Sequence, residues 1–152
     1  STLWRVLSTM SNPEKFYAKM LIPAATVLIC MVLAVVFVKP IVLVTREMEL
    51  NSKRDDFLAF VQEHKDIQIS GDMMEIELQG KDKRLSATGK VLAIDVEGQR
   101  CYIFYTLNAD NILEGYLYLP TQRLYYGVYR HYIDFEDYVY DDNFAWVRFY
   151  KK

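Results

Sequence analysis

The chain has 152 residues, 52% of them hydrophobic, with a formal net charge of −2. That is enough for one ordinary domain beside a membrane segment and not for two. The charge is unevenly divided, because residues 1–44 hold four basic groups and one acid, and the 14 basic and 19 acidic groups from 45 onward carry a net of −5. This balance weighs against nucleic acid as a partner, since phosphates demand a basic surface, and against a domain lying flat on anionic lipid.

The segment 1–19 reads as a tail and helix start. Ser11, Asn12, Pro13 and Glu14 supply a side-chain cap, a proline in the first turn and an acid near the positive helix end. Phe16 and Tyr17 belong at a membrane–water boundary. From Met20 to Val38 follow nineteen residues without a charge, bracketed by Lys19 and Lys39. As a helix they cover about 28 Å, close to the hydrocarbon thickness of a bilayer. The run is too long for the core of a cleaved signal and is followed by no small-residue cleavage pattern, so a single-pass transmembrane anchor over 20–38 is expected. Pro23, Ala24, Ala25 and Thr26 form a small-residue patch where a neighbouring helix can approach. Basic residues nearly balance across the span, with Arg5, Lys15 and Lys19 before it and Lys39, Arg46, Lys53 and Arg54 after it. The preference is for a C-terminal domain on the outer side, because long domains translocate largely regardless of charge.

Residues 39–51 are expected to be a juxtamembrane connector, with Lys39 and Pro40 closing the span and Thr45 to Leu50 either linking the two parts or continuing the membrane helix. A new domain is expected over 52–152. Ser52 and Asp55 resemble a capping box, and Phe57, Leu58, Phe60 and Val61 form the apolar stripe of a helix running to about Lys65. The period then changes to two. Alternation predicts strands over Met74–Gln79, Lys90–Val96, Arg100–Leu107, Glu114–Leu119, Leu124–Tyr132 and Phe144–Tyr150, with a tight turn at Glu97-Gly98-Gln99. The Arg100–Leu107 strand is apolar on both faces and belongs in the centre of the sheet. The predicted fold class is α+β: one transmembrane helix, then one helix packed on an antiparallel β-meander of five or six strands.

In outline, the helix and strands of residues 45–150 resemble the cystatin/NTF2-like arrangement found in the membrane-tethered assembly factors of bacterial secretion systems. They are also similar to certain single-pass proteins of the mitochondrial inner membrane. Each resemblance implies a domain that serves assembly rather than catalysis, in an inner membrane.

The inventory of reactive groups is thin. His64, His131, Cys30 and Cys101 stand in no zinc or haem spacing, and Cys101 falls in an expected core strand. No glycine-rich loop opens a helix after a strand. No catalytic, metal or cofactor residue is therefore nominated. The acidic run containing Asp134, Glu136 and Asp137 does not follow the order of a calcium loop, and it reads as a solvated or partner-facing loop. Eleven of the twelve tyrosines lie between Tyr102 and Tyr150. Tyr116, Tyr118, Tyr125, Tyr129, Tyr138 and Tyr140 are candidates for partner contact, because tyrosine offers rigid area with a polar tip. Filling of the domain's own core predicts the same residues. The functional expectation is a non-catalytic accessory or assembly subunit whose partners are membrane lipid and other membrane-protein subunits. The alternatives are a periplasm-facing component of a bacterial secretion or envelope machine, and a membrane-tethered enzyme or ligand-binding domain.

Overall fold

The computed structural model describes residues 13–152, so the capping role read for Ser11 and Asn12 lies outside the described residues. The chain forms two units that meet in sequence at Thr45 and Arg46.

One helix, α1, runs Pro13–Glu63 and is long and apolar enough over part of its length to cross a membrane. Its first portion is exposed at every residue from Glu14 to Val42. Pro23 and Pro40 both lie inside the helix. Each lacks the N–H that would reach back four residues. Thr26 and Thr45 turn their hydroxyls back onto the carbonyls of Ile22 and Ile41, both at 2.8 Å.

The expected break between connector and second helix is absent. Ser52 caps nothing and instead donates to the Glu49 carbonyl at 2.8 Å, well inside α1. The cause is tertiary. Leu50 is fully buried, and the Arg46 guanidinium lies 3.4 Å from the centre of the Trp146 ring, so the turns before Ser52 are already committed to the domain.

The second unit pairs the end of α1 with a six-stranded antiparallel sheet, so the fold is α+β. The strands are β1 (Met73–Glu77), β2 (Lys90–Val96), β3 (Gln99–Asn108), β4 (Ile112–Tyr118), β5 (Asp134–Val139) and β6 (Phe144–Tyr150). Glu97 and Gly98 join β2 to β3 with φ of 51° and 74°, the positive values that a two-residue hairpin loop of matching twist needs. As expected for a strand apolar on both faces, β3 lies inside the sheet, between β2 and β4.

The meander holds only for the first four strands, because the order is β1-β2-β3-β4-β6-β5. Strand β6 is mostly buried and apolar on both faces, whereas β5 is exposed at every residue. Placing β6 between β4 and β5 hides the apolar strand and leaves the acidic one at the edge. Arg148 on β6 secures that order. It holds Glu114 of β4 at 2.6 Å and Glu136 of β5 at 2.9 Å, its register partners on either side.

Two expectations are corrected together. The segment Leu124–Tyr132 is not a strand; it forms a 3-10 turn over Gln122–Leu124 followed by a short helix, α2 (Tyr125–Tyr129). The acidic run is not a loop, because Asp134, Glu136 and Asp137 stand on β5. Strand propensity favours tyrosine in a sheet, but Leu124 and Val128 are four apart and both buried, and Tyr125 and Tyr129, also four apart, pack half-buried against the same core. Helical spacing brings both pairs onto that core at once.

The sheet separates two cores. On one face the end of α1 packs through Leu50, Phe57 and Phe60 onto Phe104, Tyr116 and Phe144. The Phe57 ring stacks on Phe104 with centroids 4.2 Å apart. On the other face, Leu92, Ile103, Leu117 and Phe149 are covered by Leu124, Val128 and Tyr132.

Candidate interaction surface

The acidic strand and the tyrosines come together at the β5 edge. Residues alternate across a strand, so Phe135, Asp137 and Val139 share the face covered by α2, while Asp134, Glu136 and Tyr138 share the face of α1. On the α2 face, Phe135 stacks on Tyr129 at 4.6 Å and meets Tyr125 edge-on at 6.1 Å. On the α1 face, Tyr138 and Tyr140 pack edge to face at 5.0 Å.

Exposure separates the nominated tyrosines. Tyr138 is 43% exposed, whereas Tyr116 is 2% exposed in the core. The Tyr116 hydroxyl donates to the Arg46 carbonyl at 3.1 Å and to Glu49 Oε2 at 2.8 Å. Burial, and then the Glu49 carboxylate, push its phenol upward from the ordinary value. Tyr118 is half-buried beside Phe144. Pro23, Ala24, Ala25 and Thr26 lie exposed on α1 in the other unit.

The edge also carries apolar groups that sequence reasoning did not nominate. Ile133 is 66% exposed, and Phe135 and Val139 are exposed beside it. Their signal was present as apolar residues alternating with acids, but the acids read as a loop.

The hairpin from β5 to β6 is fixed by Asp141. Its carboxylate accepts the N–H groups of Asn143 at 2.8 Å and Phe144 at 2.9 Å and pairs with Arg54 of α1. Partial burial works against this charge, but the Asn143 N–H, the Arg54 guanidinium and the Phe144 N–H outweigh it and hold the carboxyl below its usual range. Asn143 in turn donates through Nδ2 to the carbonyls of Leu119 and Pro120.

The histidines and cysteines do not converge. His64 stacks on Phe60 at 4.0 Å and donates from Nδ1 to the Phe60 carbonyl at 2.9 Å. Cys101 is fully buried, and burial pushes its thiol up to about 12, so it stays protonated at neutral pH. His131 lines a cleft of about 270 Å³ with Glu75, Tyr105, Asn108 and Tyr132. Within it Glu75 Oε1 accepts from Tyr105 at 3.1 Å and from Asn108 at 3.3 Å. His131 Nε2 and the Tyr132 hydroxyl are buried without a partner among the described residues. Among those residues no three His, Cys, Asp or Glu side chains are grouped to hold a metal ion.

No family model, curated protein or solved structure matches the chain.

Proposed function

We propose that the chain is a non-catalytic, single-pass membrane accessory or assembly subunit that docks on neighbouring membrane proteins. The observation that carries the reading is β5, an edge strand, exposed at every residue, that leaves Tyr138 and Val139, and part of the Phe135 ring, open to solvent among acids. Large aromatic and aliphatic side chains left exposed together mark contact surfaces. The membrane half of the reading is supported by α1. Leaving its apolar side chains in water forfeits about 1.5–3 kcal/mol for each Val, Leu, Ile, Phe or Met that a bilayer would cover.

A photo-crosslinking residue placed at Tyr138 of the full chain tests docking in native membranes. An adduct with another membrane protein is expected. A clean monomer in mild detergent, with no adduct, overturns the reading. The placement is an inner membrane, bacterial or mitochondrial, with the domain on the outer side. In a bacterium this is the place of a secretion or envelope component, and one helix across an antiparallel sheet is compatible with a cystatin/NTF2-like outline. Protease added to intact vesicles should cleave the region after Arg46, and protection until the vesicles are opened overturns the orientation.

The cleft favours a second reading, a tethered ligand-binding domain. Two buried polar atoms without partners cost about 1–3 kcal/mol each, which a bound polar group would relieve. A small carboxylic acid that binds there should raise the unfolding temperature of the wild type and not of His131→Phe/Tyr132→Phe. A screen of such acids without any shift removes this reading.

A further inference from the structure

An outer strand leaves half of its N–H and C=O groups unpaired, which makes it a template for another strand. Strand β5 pairs with β6 alone. The Tyr140 N–H donates to the Phe144 carbonyl, and in an antiparallel ladder such hydrogen-bonded pairs recur at every second residue. Asp134, Glu136 and Tyr138 therefore turn their backbone groups toward β6, and Phe135, Asp137 and Val139 turn theirs outward. The outward N–H of Phe135 is taken by the Asp134 carboxylate at 2.8 Å. Those of Asp137 and Val139 have no partner among the described residues.

Three of the usual guards of an edge, lysine, proline and a bulge, are missing. Natural edge strands are blunted by charged side chains, lysine above all, by proline or by a bulge. Between Arg130 and Arg148 there is no lysine, arginine or proline, and the pairing of β5 with β6 is in unbroken register. Five acids stand there instead: Asp134, Glu136, Asp137, Asp141 and Asp142. Arg148 and Arg54 neutralise Glu136 and Asp141, while Asp134, Asp137 and Asp142 have no cationic partner among the described residues.

That charge selects the occupant. A second copy adding edge to edge would set β5 acids against β5 acids, and like charges across a strand pair are destabilising. Anionic lipid is repelled for the same reason. A basic extended segment satisfies the open backbone and the acids together.

Resting on the docking reading above, we propose that β5 accepts a lysine- or arginine-rich extended segment of a partner chain as an added strand of the sheet. Its basic residues meet Asp137 on the α2 face and Asp134 on the α1 face. Its apolar residues cover Val139 and Tyr138.

The test uses the full chain in mild detergent and a fluorescent peptide with lysine at every third position and valine between, which sets lysines opposite both Asp134 and Asp137 and valines opposite Tyr138 and Val139. Two controls accompany it, one with glutamate for lysine and one with a central proline. The lysine peptide should bind and both controls should not, and amide hydrogen exchange at Asp137 and Val139 should slow on binding. Val139→Pro should abolish binding without lowering the unfolding temperature, because the outward N–H it removes serves no ladder bond. Asp137→Lys should weaken the lysine peptide. Equal binding of the proline-centred peptide reduces the contact to charge and overturns strand addition. No binding of the lysine peptide overturns the basic occupant. Cross-linking at Tyr138 separates these failures from failure of docking itself: an adduct without peptide binding leaves docking with a different occupant, and no adduct removes docking whatever the peptide does.

Discussion

Two glycines show how closely the second unit is packed. A Cβ on Gly115 would sit 2.3 Å from the carbonyl oxygen of Phe104, and one on Gly127 would sit 2.2 Å from Val96 Cγ1. The first obstacle is backbone and the second a side chain that is stiff at χ1. Gly127→Ala should therefore cost about 1–3 kcal/mol of stability, as overpacking does, and Val96→Ala in the same chain should recover part of it. Gly115→Ala should cost more and should not be rescued at Ile103, whose methyl lies farther away. Chemical denaturation of the four variants checks both statements. Asp141 contributes a pH dependence of definite sign. Its folded pKa is depressed, so its contribution is present above the unfolded carboxylate range and is lost as pH falls through the folded value. Unfolding followed from neutral pH into strong acid should show a shallower loss in Asp141→Asn than in the wild type. Equal slopes would show that ionisation of Asp141 does not matter to folding.

The end of α1 belongs to the domain through one face. Phe57 is fully buried and stacked on Phe104, while its neighbour Leu58 is exposed. Phe57→Ala is expected to cost about 3–5 kcal/mol, and Leu58→Ala to stay within about 0.5 kcal/mol of the wild type. Comparable losses at both positions would contradict the packing described. The apolar stripe over 57–61 was legible because helical period and burial coincide there. The continuity of the helix through Ser52 was not. Local capping chemistry favours a start at Ser52, and it loses to burial of Leu50 and the stacking of Arg46 on Trp146, contacts made with strands far along the chain. Strands β1 to β4 and β6 were legible within two residues from alternation. Strand β5 was not, because its three acids, with Asp141 and Asp142 just beyond it, outweigh Phe135 and Val139 in any local reading. Only the pairing of β5 with β6 makes it a strand.

The whole molecule joins an exposed apolar helix to an α+β unit with a core on each side of its sheet. A fragment spanning Arg46–Lys152 is expected to remain monomeric in water and to unfold cooperatively. One beginning at Lys53 should unfold at a lower temperature, having lost Leu50 and the Arg46 and Glu49 partners of Tyr116. Calorimetry and sedimentation of both fragments check this, and an Arg46–Lys152 fragment that aggregates would mean the unit is not independent. The candidate surface shows the same division of legibility as the fold. The tyrosines and acids were recognisable as residue types. Which of them a partner can touch depended on the sheet order, which buries Tyr116 and leaves Tyr138 at the rim.

By itself the sequence determined the apolar run of α1, the acidic excess of the remainder and the period-two segments, because each is a local property of composition or spacing. Tertiary structure alone decided that α1 runs unbroken into the domain, that Leu124–Tyr129 is turn and helix, and that β6 sits inside while β5 takes the edge. Those outcomes follow from burial shared between distant segments. An apolar strand is hidden only when another, more polar, is left outside.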